Sequence, residues 1–191
     1  MWLRCDQAAR SMKLTRKTIL CIIPHRQFND EEFLAVRDAL KAEGCRFVIG
    51  GASLQEAVGT SGTRVRPSVL FSDMRVQDYD AIVFIGGIGA KDFWNHPRAH
   101  NIIRAFESHG KIIAGICVAP VTIANTGLLK DRSATCHPSV RRELEATGAH
   151  YTAQPVEVCG RIITATGPAS ATSFAEKIVH LLMPVEAGES A

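Results

Sequence analysis

Apolar residues along this chain keep two rhythms in alternation. Thr18 to Pro24 (TILCIIP), Ala81 to Ile85 and Ile112 to Ile116 are short, unbroken apolar runs, and runs of that length and uniformity predict strands buried on both faces. Between them the period becomes helical. Phe33, Val36 and Leu40 share one face of a segment that Gly44 closes, Ile102, Ile103 and Phe106 share a face of 97–109 behind Pro97, and Phe174, Ile178, Leu181 and Leu182 share one before Pro184; proline in the first turn and glycine past the last are ordinary helix boundaries. Shorter pieces fill the gaps: strands over 45–49 and 133–136, a helix from Pro138 through PSVRRELEATG, and two alternating segments, VEVC and RIITAT, folded about Gly160 as a hairpin. Strand, helix and strand joined tightly make βαβ units, whose strands run parallel. Residues 50–70 break the rhythm, and Gly59 and Gly62 predict an antiparallel hairpin around Thr60-Ser61-Gly62 at the sheet edge. The pattern as a whole predicts an α/β fold, a three-layer sandwich around a mainly parallel sheet.

Composition narrows this. At 191 residues and 46% hydrophobic the chain suits one compact domain with a substantial core. The net charge of +3, with basic residues spread out beyond position 17, excludes the footprint of a nucleic-acid binder, and no apolar run approaches the ~20 residues of a membrane helix. Six cysteines, at 5, 21, 45, 117, 136 and 159, include no Cys-x-x-Cys pair and mostly lie in apolar runs; reduced thiols in a cytoplasmic protein are expected. Met12 opens a more natural start than Met1, so residues 1–16 are expected to be a disordered leader, 17–184 the single domain, and 185–191 a frayed tail.

The candidate chemistry gathers around Cys117. A strand up to Ile116 meets the cysteine, and Pro120 opens a stretch of helical spacing that stops at Gly127. Gly115 and Ala119 flank it at the two positions where a tight strand-to-helix turn needs small residues, so Gly-Ile-Cys-Val-Ala reads as a nucleophile elbow carrying cysteine. A thiol at a helix N-terminus is expected to fall from about 8.5 toward the ~3.5–7.5 range of reactive cysteines; the alternative is a small buried residue ending a core strand.

Sites in open parallel sheets form outside the carboxyl ends of the strands, where this chain puts Asn29 to Glu32, Gly86 with Gly87, Cys117, His137, and Gly167. Glu32 has two readings, a catalytic carboxyl or half of a capping box with Asn29. His137 likewise reads either as a catalytic imidazole or as part of a turn before Pro138. The amides of Gly87 and Val118 suit an oxyanion hole beside the sulfur. Cys136 and His137 with Cys117 lack metal-ligand spacing, and Gly86-Gly87-Ile88-Gly89 lacks the third spaced glycine of a dinucleotide loop, so neither a metal nor a cofactor is expected.

Taken together, FNDEEF (28–33), YDAIVFIGGIGA (79–90), GKIIAGICVAP (110–120), ANTGLLKDRSATCHP (124–138) and GRIITATGPASATSFAEKIV (160–179) resemble the ThiJ/PfpI family in order and spacing across nearly the whole domain. The resemblance implies a class I glutamine amidotransferase-like fold with flavodoxin-like or Rossmann-like topology. It implies Cys117 as the reactive thiol, Glu32 as a protonated acid hydrogen-bonded to its thiolate, Gly87 and Val118 as amide donors, and His137 as the neighbouring histidine. It also implies a homodimer or higher homo-oligomer. The protease-like branch carries a histidine directly after the cysteine; here that position is Val118, which ranks an intracellular cysteine peptidase or amidase last. The parts for a glyoxalase or deglycase acting on a small-molecule carbonyl are present, and a redox-sensing stress-response chaperone using the same cysteine is the alternative.

Overall fold

The computed structural model describes residues 14–183. Seven strands build the main sheet: β1 (Thr18–Ile22), β3 (Arg46–Gly51), β6 (Val69–Leu70), β7 (Ala81–Phe84), β8 (Ile112–Ile116), β11 (Val156–Cys159) and β12 (Ile162–Ala165), in the order β11-β12-β8-β7-β1-β3-β6. Every neighbouring pair is parallel except β11 with β12. That pair is the expected hairpin, turning at Gly160 with φ 60°, where a residue without Cβ is under no strain. Every residue of β7 and β8 is buried, which is why these strands read as unbroken apolar runs. Each fully buried isoleucine among them contributes about 1.5–3 kcal/mol of transfer free energy.

From β1 the chain moves through α1 (Asp30–Ala42) to β3, toward one edge of the sheet. From β7 it moves through α2 (Pro97–Ser108) to β8, toward the other. With right-handed crossovers this reversal sends the helices to opposite faces and opens a switch point between β1 and β7. α1 packs beside α5 (Ala171–Leu182), while α2 packs on β7, β8 and the short α3 (Pro120–Ala124). The expected three-layer, mainly parallel α/β architecture is what forms.

Five local expectations change. The hairpin of β4 (Ala57–Gly59) and β5 (Arg64–Val65) is antiparallel, but it joins β2 (Arg26–Phe28) in a separate three-stranded sheet, and β6 takes the edge of the main sheet instead. The cause is Asp30 in the first turn of α1, whose carboxylate accepts the Ser61 and Thr63 amides at 2.7 and 2.8 Å. A Cβ on Gly59 would lie 2.3 Å from that carboxylate. Burial alone would raise Asp30, yet the bonds from Thr63 and Ser61 together hold it below the ordinary carboxylate range. Asp30→Ala is expected to cost about 2 kcal/mol of stability, the worth of hydrogen bonds to a charged acceptor, read as a lower midpoint in urea. The strand expected over 133–136 shortens to β9 (Ser133–Ala134) and pairs with β10 (His150–Tyr151), apart from the main sheet. α3 ends at Ala124, three residues before Gly127, and the helix expected from Pro138 becomes a single tight turn followed by α4 (Arg141–Ala146). Leu14 is fully buried and its carbonyl accepts from the Lys17 amide, so residues 14–16 belong to the folded body and not to a disordered leader. The rest of that leader and the 185–191 tail lie outside the described residues.

Candidate functional site

The carboxyl ends of β1, β7 and β8 converge at the switch point, and three segments meet there within hydrogen-bond reach. Cys117 stands at the turn after β8 with φ 65°, a left-handed conformation that costs a non-glycine residue about 1–2 kcal/mol. Bonds on both sides hold it: its amide donates to Ala165 O at 2.9 Å, and its carbonyl accepts from the His137 amide at 2.8 Å. The small residues behave as the elbow requires. A Cβ on Gly115 would sit 3.0 Å from Ile123 Cδ1 and 3.2 Å from Pro120 N, and Ala119 is buried.

Glu32 is fully buried in the first turn of α1. Its amide donates to Asn29 Oδ1 at 3.0 Å, so Asn29 is the cap. The reciprocal half of a capping box is not made: the Asn29 amide goes to Gly86 O at 3.0 Å, and the Glu32 carboxyl turns inward, accepting from Gly86 N at 3.0 Å and facing Cys117. Of its two readings, the inward carboxyl is the one the structure adopts. Glu32 Oε1 has no hydrogen-bond partner among the described residues.

Gly86 is the point where α1, β7 and β8 touch. A Cβ there would lie 2.4 Å from Cys117 Cβ, 2.7 Å from Glu32 Oε2 and 2.8 Å from Ile116 O. Gly86→Ala therefore has to push the acid and the sulfur apart, at about 1–3 kcal/mol for an overpacked core position; a thermal melt alongside the Cys117 alkylation rate would register both effects. Gly87, next along, has φ 98°, and its amide points at the Cys117 sulfur together with that of Val118. The two amides expected to form an oxyanion hole thus act first on the sulfur itself. Trp94, which the sequence reading did not single out, fixes one of them, because its Nε1 donates to Val118 O at 3.0 Å. No local pattern announces that contact, which joins the loop after β7 to the elbow.

His137 is brought beside the site through its backbone. Its ring is exposed and stands in the turn reading: Nδ1 accepts from the Ser139 amide at 3.2 Å and lies 2.7 Å from Ser139 Oγ. With Nδ1 an acceptor, the proton is on Nε2. The ring makes no hydrogen bond to Cys117 among the described residues. A Cβ on Gly167 would come within 3.8 Å of His137 Cδ2 and 4.0 Å of Glu32 Oε1, so Gly167 leaves open the space between imidazole and acid.

The electrostatics differ from the expectation of a depressed thiol. Burial, and then the charge of Glu32, push Cys117 up to about 12, against the pull of the Gly87 and Val118 amides. α3 has only five residues, too short for its dipole to offset desolvation. Burial also raises Glu32 to about 7, against the Gly86 amide and Cys117. Two adjacent buried anions are costly, so above neutral pH the pair keeps one proton between carboxyl and sulfur and titrates as a unit. With the proton on sulfur Cys117 is inert; with the proton on Glu32 it is a thiolate held by three donors. Among the described residues no group of three or more His, Cys, Asp or Glu side chains is arranged to hold a metal ion, and no helix is long and apolar enough to cross a membrane.

The sequence model of the DJ-1/PfpI family matches residues 17–181. The glutathione-independent glyoxalase DJR-1.2 of Caenorhabditis elegans is 28% identical, the match covering 87% of this chain and 89% of that protein. The deglycase PH1704 of Pyrococcus horikoshii is 26% identical over 82% of this chain and 94% of its own. Among solved structures, a ThiJ/PfpI domain protein from Brachyspira murdochii superposes with a TM-score of 0.84 at 30% identity, covering 86% of this chain and 95% of that one.

Proposed function

Since this chain belongs to the DJ-1/PfpI family, we propose that it converts small reactive carbonyls of the methylglyoxal type, using Cys117 as nucleophile and Glu32 as proton carrier. The observation that carries this reading is the buried pair: an acid raised to about 7 and set beside the sulfur, poised to exchange a proton at neutral pH.

In the proposed sequence the Cys117 proton passes to Glu32, and the thiolate adds to the aldehyde carbon. Glu32 returns the proton to the new alkoxide, giving a hemithioacetal. The ionised carboxyl then takes the proton from the former aldehyde carbon and delivers it to the neighbouring carbon, while the hydroxyl proton passes to the oxygen of that second carbon, leaving a thioester that water hydrolyses to lactate and the free thiol. The Gly87 and Val118 amides, aimed at the sulfur, hold negative charge there and, on addition, at the adjoining oxygen. His137 presents its Nε2–H at the mouth, where it would orient the substrate's second carbonyl.

Relatives named for glyoxalase and deglycase activity support the substrate class. Peptide hydrolysis is the weaker reading, because Val118 follows the cysteine and the His137 ring is committed to Ser139, so no base is assembled at the sulfur. Lactate release from methylglyoxal by the purified protein is the test; a rate no greater than that of Cys117→Ala overturns the reading.

A further inference from the structure

Cys136 has no part in that chemistry, yet it lies against the elbow. It is fully buried on the segment leading from β9 to the turn at Pro138. The residue after it, His137, donates its amide to Cys117 O at 2.8 Å. Adding standard covalent dimensions to that bond, the Cα atoms of 117 and 136 are at most about 7.6 Å apart with the three links in line, and closer with any bend. Disulfides span Cα separations of about 4.4–6.8 Å. The other described cysteines are placed differently. Cys45 precedes β3 and Cys159 pairs with Ile162 at the start of β12, both at the opposite end of the sheet, and Cys21 lies within β1. The charge of Cys117 is among the causes that raise the Cys136 thiol.

We propose that Cys136 is a resolving thiol: once a peroxide has oxidised Cys117, Cys136 captures the product as an intramolecular Cys117–Cys136 disulfide. The Cys117 thiolate attacks one oxygen of hydrogen peroxide, forming S–O as O–O breaks, and the departing hydroxide takes the proton held by Glu32. Cys136 sulfur then attacks the sulfenic sulfur of Cys117, S–S forms as S–O breaks, and hydroxide leaves with the Cys136 proton as a second water. Peroxide is reduced by two electrons and two thiols are oxidised; a dithiol restores both. Burial, then Glu143, then the charge of Cys117 hold the Cys136 thiol up at about 12. Conversion of Cys117 to a neutral sulfenic acid removes the last of these three, and fixed proximity substitutes for intrinsic nucleophilicity. Capture diverts the sulfur from the irreversible sulfinic and sulfonic acids. The device uses the same sulfur as carbonyl conversion but is independent of it.

The experiment treats the full, freshly reduced chain with a small excess of hydrogen peroxide, enough for two successive oxidations of one sulfur, quenches in acid, alkylates, and reads intact mass and linked peptides. Wild type is expected to lose two hydrogens, with the Cys117 and Cys136 peptides joined, and to recover with dithiothreitol. Cys136→Ser is expected to gain two oxygens on Cys117, with at least about tenfold more sulfinic acid than wild type; Cys136→Ala, checked by its thermal midpoint, serves if the serine is poorly tolerated. Wild type that ends as sulfinic acid with Cys136 still open to alkylation overturns the proposal, as does a disulfide from Cys117 to any other cysteine or to a second copy. Lactate release from methylglyoxal, measured on the same samples before peroxide, reports on the carbonyl reading separately, so either can fail alone.

Discussion

Replacing Cys117 by alanine is expected to reduce lactate formation from methylglyoxal by about 10²–10⁴-fold, the range spanned by loss of a nucleophile working with a proton carrier. The substitution keeps Cβ, the atom that would face a side chain at Gly86, so the contact among α1, β7 and β8 is unchanged. The elbow's backbone bonds to Ala165 and His137 do not involve the sulfur and remain. The loss is therefore expected in kcat, with thermal stability held or raised, because a buried thiol and its conflict with the Glu32 charge are removed together. Retention of more than a tenth of wild-type turnover would place the chemistry elsewhere.

Glu32→Gln is expected to act on stability and reactivity at once. The carboxyl rises from 4.5 to about 7 on folding, so between those values the folded chain holds a proton that the unfolded chain has released. Stability from this group is fully present below about pH 4.5 and is lost as pH rises through about 7. The interval corresponds to about 3 kcal/mol at 1.36 kcal/mol per pH unit, and no discount for solvent applies because Glu32 is fully buried. Glutamine does not titrate and can still accept from the Gly86 amide. Denaturant titrations at pH 5 and pH 8 are expected to show the variant gaining about 3 kcal/mol on wild type between the two. The pH profile of Cys117 alkylation is expected to carry an inflection near pH 7 in wild type and none in the variant, with lactate turnover down by about 10²-fold. Parallel stability curves at both pH values would mean that Glu32 does not hold the proton.

Reading these residues from the sequence succeeded where the physics is local. The apolar runs of β1, β7 and β8 and the helical faces of α1, α2 and α5 are set by period, and the joints by glycine and proline. The elbow was legible because crowding at a strand-to-helix turn admits only small neighbours, and Gly115 and Ala119 supply them. Glu32 was ambiguous because Asn29 three residues earlier makes a cap plausible whatever the side chain of Glu32 does. Trp94 was missed, since an indole reaching a carbonyl 24 residues away leaves no trace in spacing.

The cysteine, the acid, the paired glycines and their order along a parallel sheet were thus determined by the sequence itself, since each depends on neighbours within a few positions. Only the tertiary structure decided that the 57–65 hairpin docks on Asp30 and not on the sheet edge, that the Glu32 carboxyl turns to Cys117, and that Cys136 rests against the elbow. It also reversed the sign of the thiol's expected shift. A short helix dipole can be read from the sequence, but desolvation and the charge of an acid 85 residues away exist only once α1, β7 and β8 are packed together, and in that setting they outweigh it.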